Sequence, residues 1–151
     1  GPVTRVMSLR DGKKKMSSSE LSDMTRINLL DTADQISSKI KKAKTDSASI
    51  PDKISEIEER YELMNLVSIY SGISGRSKED VLYDFSGKQF THLKDSLTEL
   101  LVQKICPIGN EMKKIINEKE YLGSILIDGA EKARAIAQPV LEETKKIIGL
   151  A

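Results

Sequence analysis

The sequence predicts an all-α protein: an antiparallel helical bundle preceded by a short strand and a phosphate-binding loop. Three observations carry this. Aromatic residues are only 4% of the chain and Trp is absent, whereas a β-sandwich draws on aromatic and β-branched side chains. From Leu21 onward, apolar residues recur at helical spacing almost to the C-terminus. Near the N-terminus a single alternating stretch has no second strand-like run to pair with.

Composition narrows the class further. At 151 residues the chain suits one ordinary domain with an appended piece. Lys and Arg total 24 against 23 Asp and Glu, so any nucleic-acid surface must be a local patch. No apolar run approaches the ~20 residues that span a bilayer, so no membrane partner is expected and a cytoplasmic location is the default. Cys106 is the only cysteine and reads as a small core residue before Pro107; His92 is also alone, and no metal site is expected. The opening Gly1-Pro2-Val3 reads as an excised part of something longer, Gly1-Pro2 being either native or a cloning scar.

Thr4 to Leu9 alternates polar and apolar residues and stops at Arg10-Asp11-Gly12, which predicts a short strand or arm running into a turn. The loop follows: Lys13, Lys14, Lys15, Met16, Ser17, Ser18 and Ser19 place three ammonium groups beside three hydroxyls. Lysines act as mobile point charges for phosphate oxygens, and serine-rich backbone can cradle the same oxygens. A lysine triplet beside Asp-Gly is more often a plain solvated turn.

Helix-start residues at Asp31-Thr32-Ala33-Asp34 precede Ile36, Ile40 and Ala43 on one face, with Lys39, Lys41, Lys42 and Lys44 assigned to the solvated face. After the break at Ile50-Pro51-Asp52 a long helix is predicted from Ile54 to Tyr70, with Glu56, Glu58 and Glu59 in its first turns. Ser71-Gly72-Ile73-Ser74-Gly75 reads as punctuation. Ser77 then opens a short helix to about Phe85, ended by Gly87. Leu93, Leu97, Leu100, Leu101 and Ile105 predict an amphipathic helix, and Pro107 is placed at the start of a new one lined by Met112, Ile115 and Ile116. The last helix runs from about Tyr121 to Ile148, with Gly149 as its stop; Gly129 implies close approach of another helix, and Pro139 a bend or division.

Taken in order, Val6-Met7-Ser8-Leu9-Arg10-Asp11-Gly12, Lys14 to Ser19, Arg26-Ile27-Asn28-Leu29, Lys39-Ile40 and Ala43-Lys44-Thr45-Asp46 resemble the second half of a bacterial tryptophanyl-tRNA synthetase. Tyr121-Leu122, Gly129 to Ala137 and Ile148-Gly149-Leu150 resemble that family's C-terminal helix. Tyrosyl-tRNA synthetases are near neighbours, and the ending without an extra small RNA-binding domain favours the tryptophanyl branch.

The resemblance implies that residues 1–22 end a dinucleotide-fold catalytic domain and that residues 23–151 form a helical anticodon-binding domain. It implies a parent enzyme that activates L-tryptophan with ATP and Mg²⁺ and passes it to tRNA(Trp), working as a homodimer, while this piece alone is monomeric. Lys14, Lys15, Met16, Ser17, Ser18 and Ser19 would form the ATP and pyrophosphate loop, similar to the KMSKS signature, with Lys15 as its catalytic cation. Ser18 departs from the pattern, standing where a second lysine is usual. One such donor typically contributes about 2.7–4 kcal/mol. The upstream HIGH-type motif, strand succession and tryptophan pocket are absent from these residues, so no adenylate formation is expected from them. Lys88, Lys94, Lys113, Lys114, Lys132 and Arg134 are the tRNA-contact candidates, Arg134 foremost because a guanidinium can stack on an unpaired base. A tyrosyl-tRNA synthetase piece, a free-standing helical RNA- or protein-binding module and a purely structural bundle are the alternatives.

Overall fold

The computed structural model describes residues 5–150; the expected strand start at Thr4 and the Gly1-Pro2 pair lie outside them. The described chain is mainly helical, with one two-stranded sheet, and divides into two compact units between Asn110 and Glu111.

In the first unit, β1 (Met7–Ser8) pairs antiparallel with β2 (Asp11–Lys15), Met7 facing Lys15 and Ser8 facing Asp11. The lysine triplet is therefore a strand, and the expectation of an unpaired strand followed by a free loop is corrected. The reason is tertiary. Asn65, buried on α2 (Tyr61–Ser74), accepts from the Met7 N–H at 2.9 Å and donates to the Met7 and Ser8 carbonyls at 2.9 and 3.3 Å. A helix side chain thus supplies the bonds that a third strand would make. Gly12 completes the fit, since a Cβ there would stand 2.5 Å from the Tyr61 carbonyl carbon.

α1 (Ala33–Lys41) starts as expected: the Thr32 hydroxyl accepts from the Gln35 N–H and the Gln35 side chain bonds back to the Thr32 N–H, a reciprocal capping box. Ile36 and Ile40 are fully buried. Lys39, expected on the solvated face, is buried as well, because two carboxylates receive it. The helix expected over Ile54–Tyr70 is shorter at its start and longer at its end. Ile54–Ile57 is a 3-10 turn that tucks Ile57 into the core, and α2 continues through the presumed punctuation to Ser74, where Gly75 at φ +76° caps it. α3 (Lys78–Phe85) begins at Ser77, whose hydroxyl accepts from the Asp80 N–H.

α4 (Phe90–Asn117) passes through Pro107 without ending. Proline forgoes one intrahelical bond, and the packing of Leu93, Leu97 and Leu101 into the core outweighs that loss. The close-approach glycine is Gly109, not Gly129: a Cβ on Gly109 would collide with the Leu29 carbonyl, whereas one on Gly129 would meet nothing within 4 Å. Leu9, Ile36, Ile40, Ile50, Leu63 and Leu66 are among the core side chains of this unit.

The second unit holds the end of α4 and α5 (Lys119–Ile147), which runs unbroken through Pro139. None of α5's residues is buried; Leu126, Ile136, Val140 and Ile147 stand exposed.

Candidate functional site

The loop begins where β2 ends. The Met16 N–H donates to the Val6 carbonyl at 3.0 Å, extending the hairpin by one bond, and the Met16 side chain lies against the core with Val6 and Ile27. These three, with Ile69, Ile73 and Leu101, line an open apolar cleft of about 290 Å³. Met16 is thus the apolar anchor that lets the polar residues on either side of it project. Beyond it, the Ser17 and Ser19 hydroxyls lie 2.8 Å apart and the Ser19 N–H donates to Ser17 Oγ at 3.3 Å, closing a small turn whose tip is the exposed Ser18.

The three lysines have different surroundings. Lys13 lies with its ammonium 4.6 Å from the centre of the Tyr61 ring. Lys14 forms an ion pair with Glu20 across the loop, and that hydrogen bond and charge hold its ammonium above the usual lysine range. Lys15 is exposed and has no ion pair among the described residues. Of the site residues expected from sequence, Lys14 and Lys15 thus end strand β2, Met16 anchors in the core, and Ser17, Ser18 and Ser19 form the turn that follows.

The tRNA-contact candidates fall in both units. In the first unit, Lys88 donates to the Asp84 carbonyl at 2.7 Å and lies over the Phe85 ring. Lys94 donates to the Lys41 and Ala43 carbonyls at 3.2 and 2.8 Å, capping the C-terminal end of α1; burial and then the nearby Arg10 charge push its ammonium below the usual range. In the second unit, Lys114 pairs with Glu111 at 3.0 Å and Lys132 with Asp128 at 2.7 Å, both on exposed helix faces. Lys113 and Arg134 are exposed and have no ion pair among the described residues. His92 is exposed; Cys106 is half-buried against the core. Among the described residues no group of three or more His, Cys, Asp or Glu side chains is placed to hold a metal ion.

Sequence inspection missed the support of the loop's downstream end. The Lys39 ammonium lies 2.6 Å from both Asp31 Oδ2 and Asp23 Oδ2, its side chain 3% exposed and that of Asp31 5%. Asn28 binds both carboxylates through its amide, and its backbone N–H donates to Asp31 at 2.9 Å. Arg26 touches Asp23 at 3.1 Å and Asn28 Oδ1 at 3.1 Å, and donates to the Glu20 carbonyl at 2.9 Å. Hydrogen bonds first from Lys39 and then from Asn28 hold the Asp23 carboxyl below the usual range. One signal was available: Asp31 just ahead of α1 and Lys39 two turns into it fall on a common face.

Comparisons with known proteins agree with one another. The family model described as "tRNA synthetases class I (W and Y)" matches residues 2–104. The tryptophan–tRNA ligase of Mesorhizobium japonicum is 49% identical over 150 residues, covering 99% of this chain and 42% of the relative. That of Rickettsia conorii is 44% identical, covering 97% and 44%. Among solved structures, the tryptophanyl-tRNA synthetase of Mycoplasma pneumoniae superposes with a TM-score of 0.75 at 27% identity, over 97% of this chain and 46% of that one. The Campylobacter jejuni synthetase complexed with ADP and tryptophan shares the fold, with a TM-score of 0.72 at 24% identity, over 98% and 44%. The chain spans less than half the length of the relatives it matches.

Proposed function

Because this chain belongs to the class I tRNA synthetase family of tryptophan and tyrosine, we propose that it is the C-terminal portion of a tryptophan–tRNA ligase that carries the ATP and pyrophosphate loop. The match of nearly the whole chain to part of ligases named for tryptophan carries this reading and favours it over the tyrosine branch. In it, residues 1–22 close the catalytic domain and residues 23–151 serve tRNA(Trp) through anticodon-binding helices. The parent enzyme activates L-tryptophan with ATP in the cytoplasm as a homodimer, and this portion alone is monomeric.

The loop's chemistry fits the task. Charge accumulates on pyrophosphate as it leaves, and preorganised cations and N–H donors that meet that charge accelerate the step. Lys15 is an exposed cation with no ion pair among the described residues, and Ser17 to Ser19 supply hydroxyls and N–H groups. Lys14, one residue away and held by Glu20, is the nearest stand-in for the lysine that Ser18 replaces. Mg²⁺ is bound through one or two carboxylates and substrate phosphates rather than by an all-protein cage, so in the parent enzyme the ion would enter with ATP. For tRNA, Arg134 and Lys113 are the leading contacts, since their charges are not committed to an ion pair among the described residues, and Lys94, engaged by α1, is the weakest.

ATP–pyrophosphate exchange tests the division of labour. The purified 151-residue chain is expected to show none, because the amino-acid pocket and the other half of the ATP site lie outside it. Measurable exchange would overturn the reading as a partial site.

A further inference from the structure

The proposed loop has an unusual support. It is mounted at its upstream end by β2 and at its downstream end by a chain of polar contacts reaching into the core. Two of those contacts are buried ions. A lysine at 3% exposure is stable only where its partners are fixed, and here Asp31, Asp23 and Asn28 surround the ammonium side of the network. The next link outward is Arg26, whose fork spans Asp23, Asn28 and the Glu20 carbonyl at once. Glu20 then pairs with Lys14 on the far side of the turn. Thus one continuous set of charge-assisted bonds runs from α1 to Lys14. The segment it crosses, Glu20 to Asn28, has only a 3-10 turn at Asp23–Thr25 as regular structure.

We propose that Lys39 and Arg26 are positioning residues for the loop: Lys39 fixes Asp23 and Asp31, Asp23 fixes Arg26, and Arg26 fixes Glu20, setting where Lys14 and the serines stand. This rests on the reading of Lys15–Ser19 as a phosphate-holding turn. Surface ion pairs such as Lys14–Glu20 fix geometry weakly by themselves. Arg26 supplies what that pair lacks, a rigid tie from the same residue to the protein body. Preorganising a phosphate-holding turn reduces the ordering cost that binding would otherwise meet.

The test uses the whole 151-residue chain, ¹⁵N-labelled, as wild type, Arg26→Met and Asp23→Asn. Both variants leave Lys39 and Asp31 paired, so α1 should keep its fold; Lys39→Met would strand a buried carboxylate and is avoided. In the wild type, backbone order parameters at Ser19, Glu20 and Leu21 are expected near 0.85, falling below about 0.6 in both variants while α1 and α2 keep theirs. Pyrophosphate titration, followed at Lys15 to Ser19, should weaken on the order of fivefold in the variants. Unchanged order at the loop, or a loss that spreads through α1, would overturn the positioning role. Equal pyrophosphate affinity despite a loosened loop would overturn it too. If wild type itself shows no pyrophosphate response, the phosphate-loop reading fails, while the order parameters still decide whether the tie exists.

Discussion

Asn65 is the residue on which the N-terminal hairpin depends, and it is polar, buried and far away in sequence. Its amide is matched to three backbone groups of β1, so replacing it with a similar-sized apolar side chain leaves those groups buried without partners. Each such group costs about 1–3 kcal/mol. Asn65→Leu is therefore expected to lower stability by at least about 3 kcal/mol in urea unfolding of this chain, with the loss concentrated at the hairpin in hydrogen exchange. An unchanged midpoint would mean that the hairpin is held by other contacts. Little of this was legible beforehand. Asn65 sits among Met64, Leu66 and Val67 in a largely apolar helix, and only its three-dimensional neighbour explains it. Lys39 was misassigned for a related reason: periodicity ranks a lysine as solvated, whereas the acidic partners that bury it lie eight and sixteen residues back. Gly12 differs, since Asp-Gly was read as a turn signal and the structure uses the glycine for close approach to α2.

At the scale of elements, caps and apolar periodicity were readable and helix continuity was not. The capping box of α1 and the Ser77 start of α3 rest on bonds between near neighbours, which sequence displays directly, whereas the Gly87 N–H donates to the distant Ile50 carbonyl at 2.8 Å. Whether a helix crosses a proline, or ends at a Ser-Gly run, depends on how much apolar surface the continuing turns bury. Hence α4 and α2 both outran their expected ends. The C-terminal end of α1 shows a cap that sequence could not display. Its last carbonyls are met by Lys94 from α4 and by the Arg10 side chain from the hairpin, fifty-odd and about thirty residues away respectively. Two cations at that end also complement the helix dipole. Lys94→Met keeps the stem and removes the donor. It should fray the last turn of α1, seen as faster amide exchange at Lys41 to Ala43, and cost about 1 kcal/mol, while pyrophosphate shifts at the loop persist. Loss of the loop response instead would show that Lys94 serves the site.

For the whole molecule, charge pairing rather than net charge sets the response to acid. Four carboxyls of the first unit are held below their ordinary range: Asp23 by Lys39 and Asn28, Glu62 by Lys44, Asp84 by Arg76, and Asp46, where burial pushes up but the Arg60 and Ala48 donors prevail. A carboxyl whose folded pKa is lowered binds its proton more readily when unfolded. Its contribution is therefore complete above the unfolded carboxylate pKa, near 4, and lost as pH falls through the lower folded value. The four ties join distant segments: Asp23 to α1, Asp46 to the start of α2 through Arg60, Glu62 to the end of α1 through Lys44, and Asp84 to the α2–α3 turn. Protonating them together should loosen the first unit as a whole. Thermal melts from pH 7 down to pH 2 are expected to hold a plateau to about pH 5 and then fall steeply. Loop order at Glu20 should fall with them, because Asp23 belongs to both the stability set and the tie to the loop. A midpoint that stays flat through this range would show that these pairs form equally in the unfolded chain and stabilise nothing.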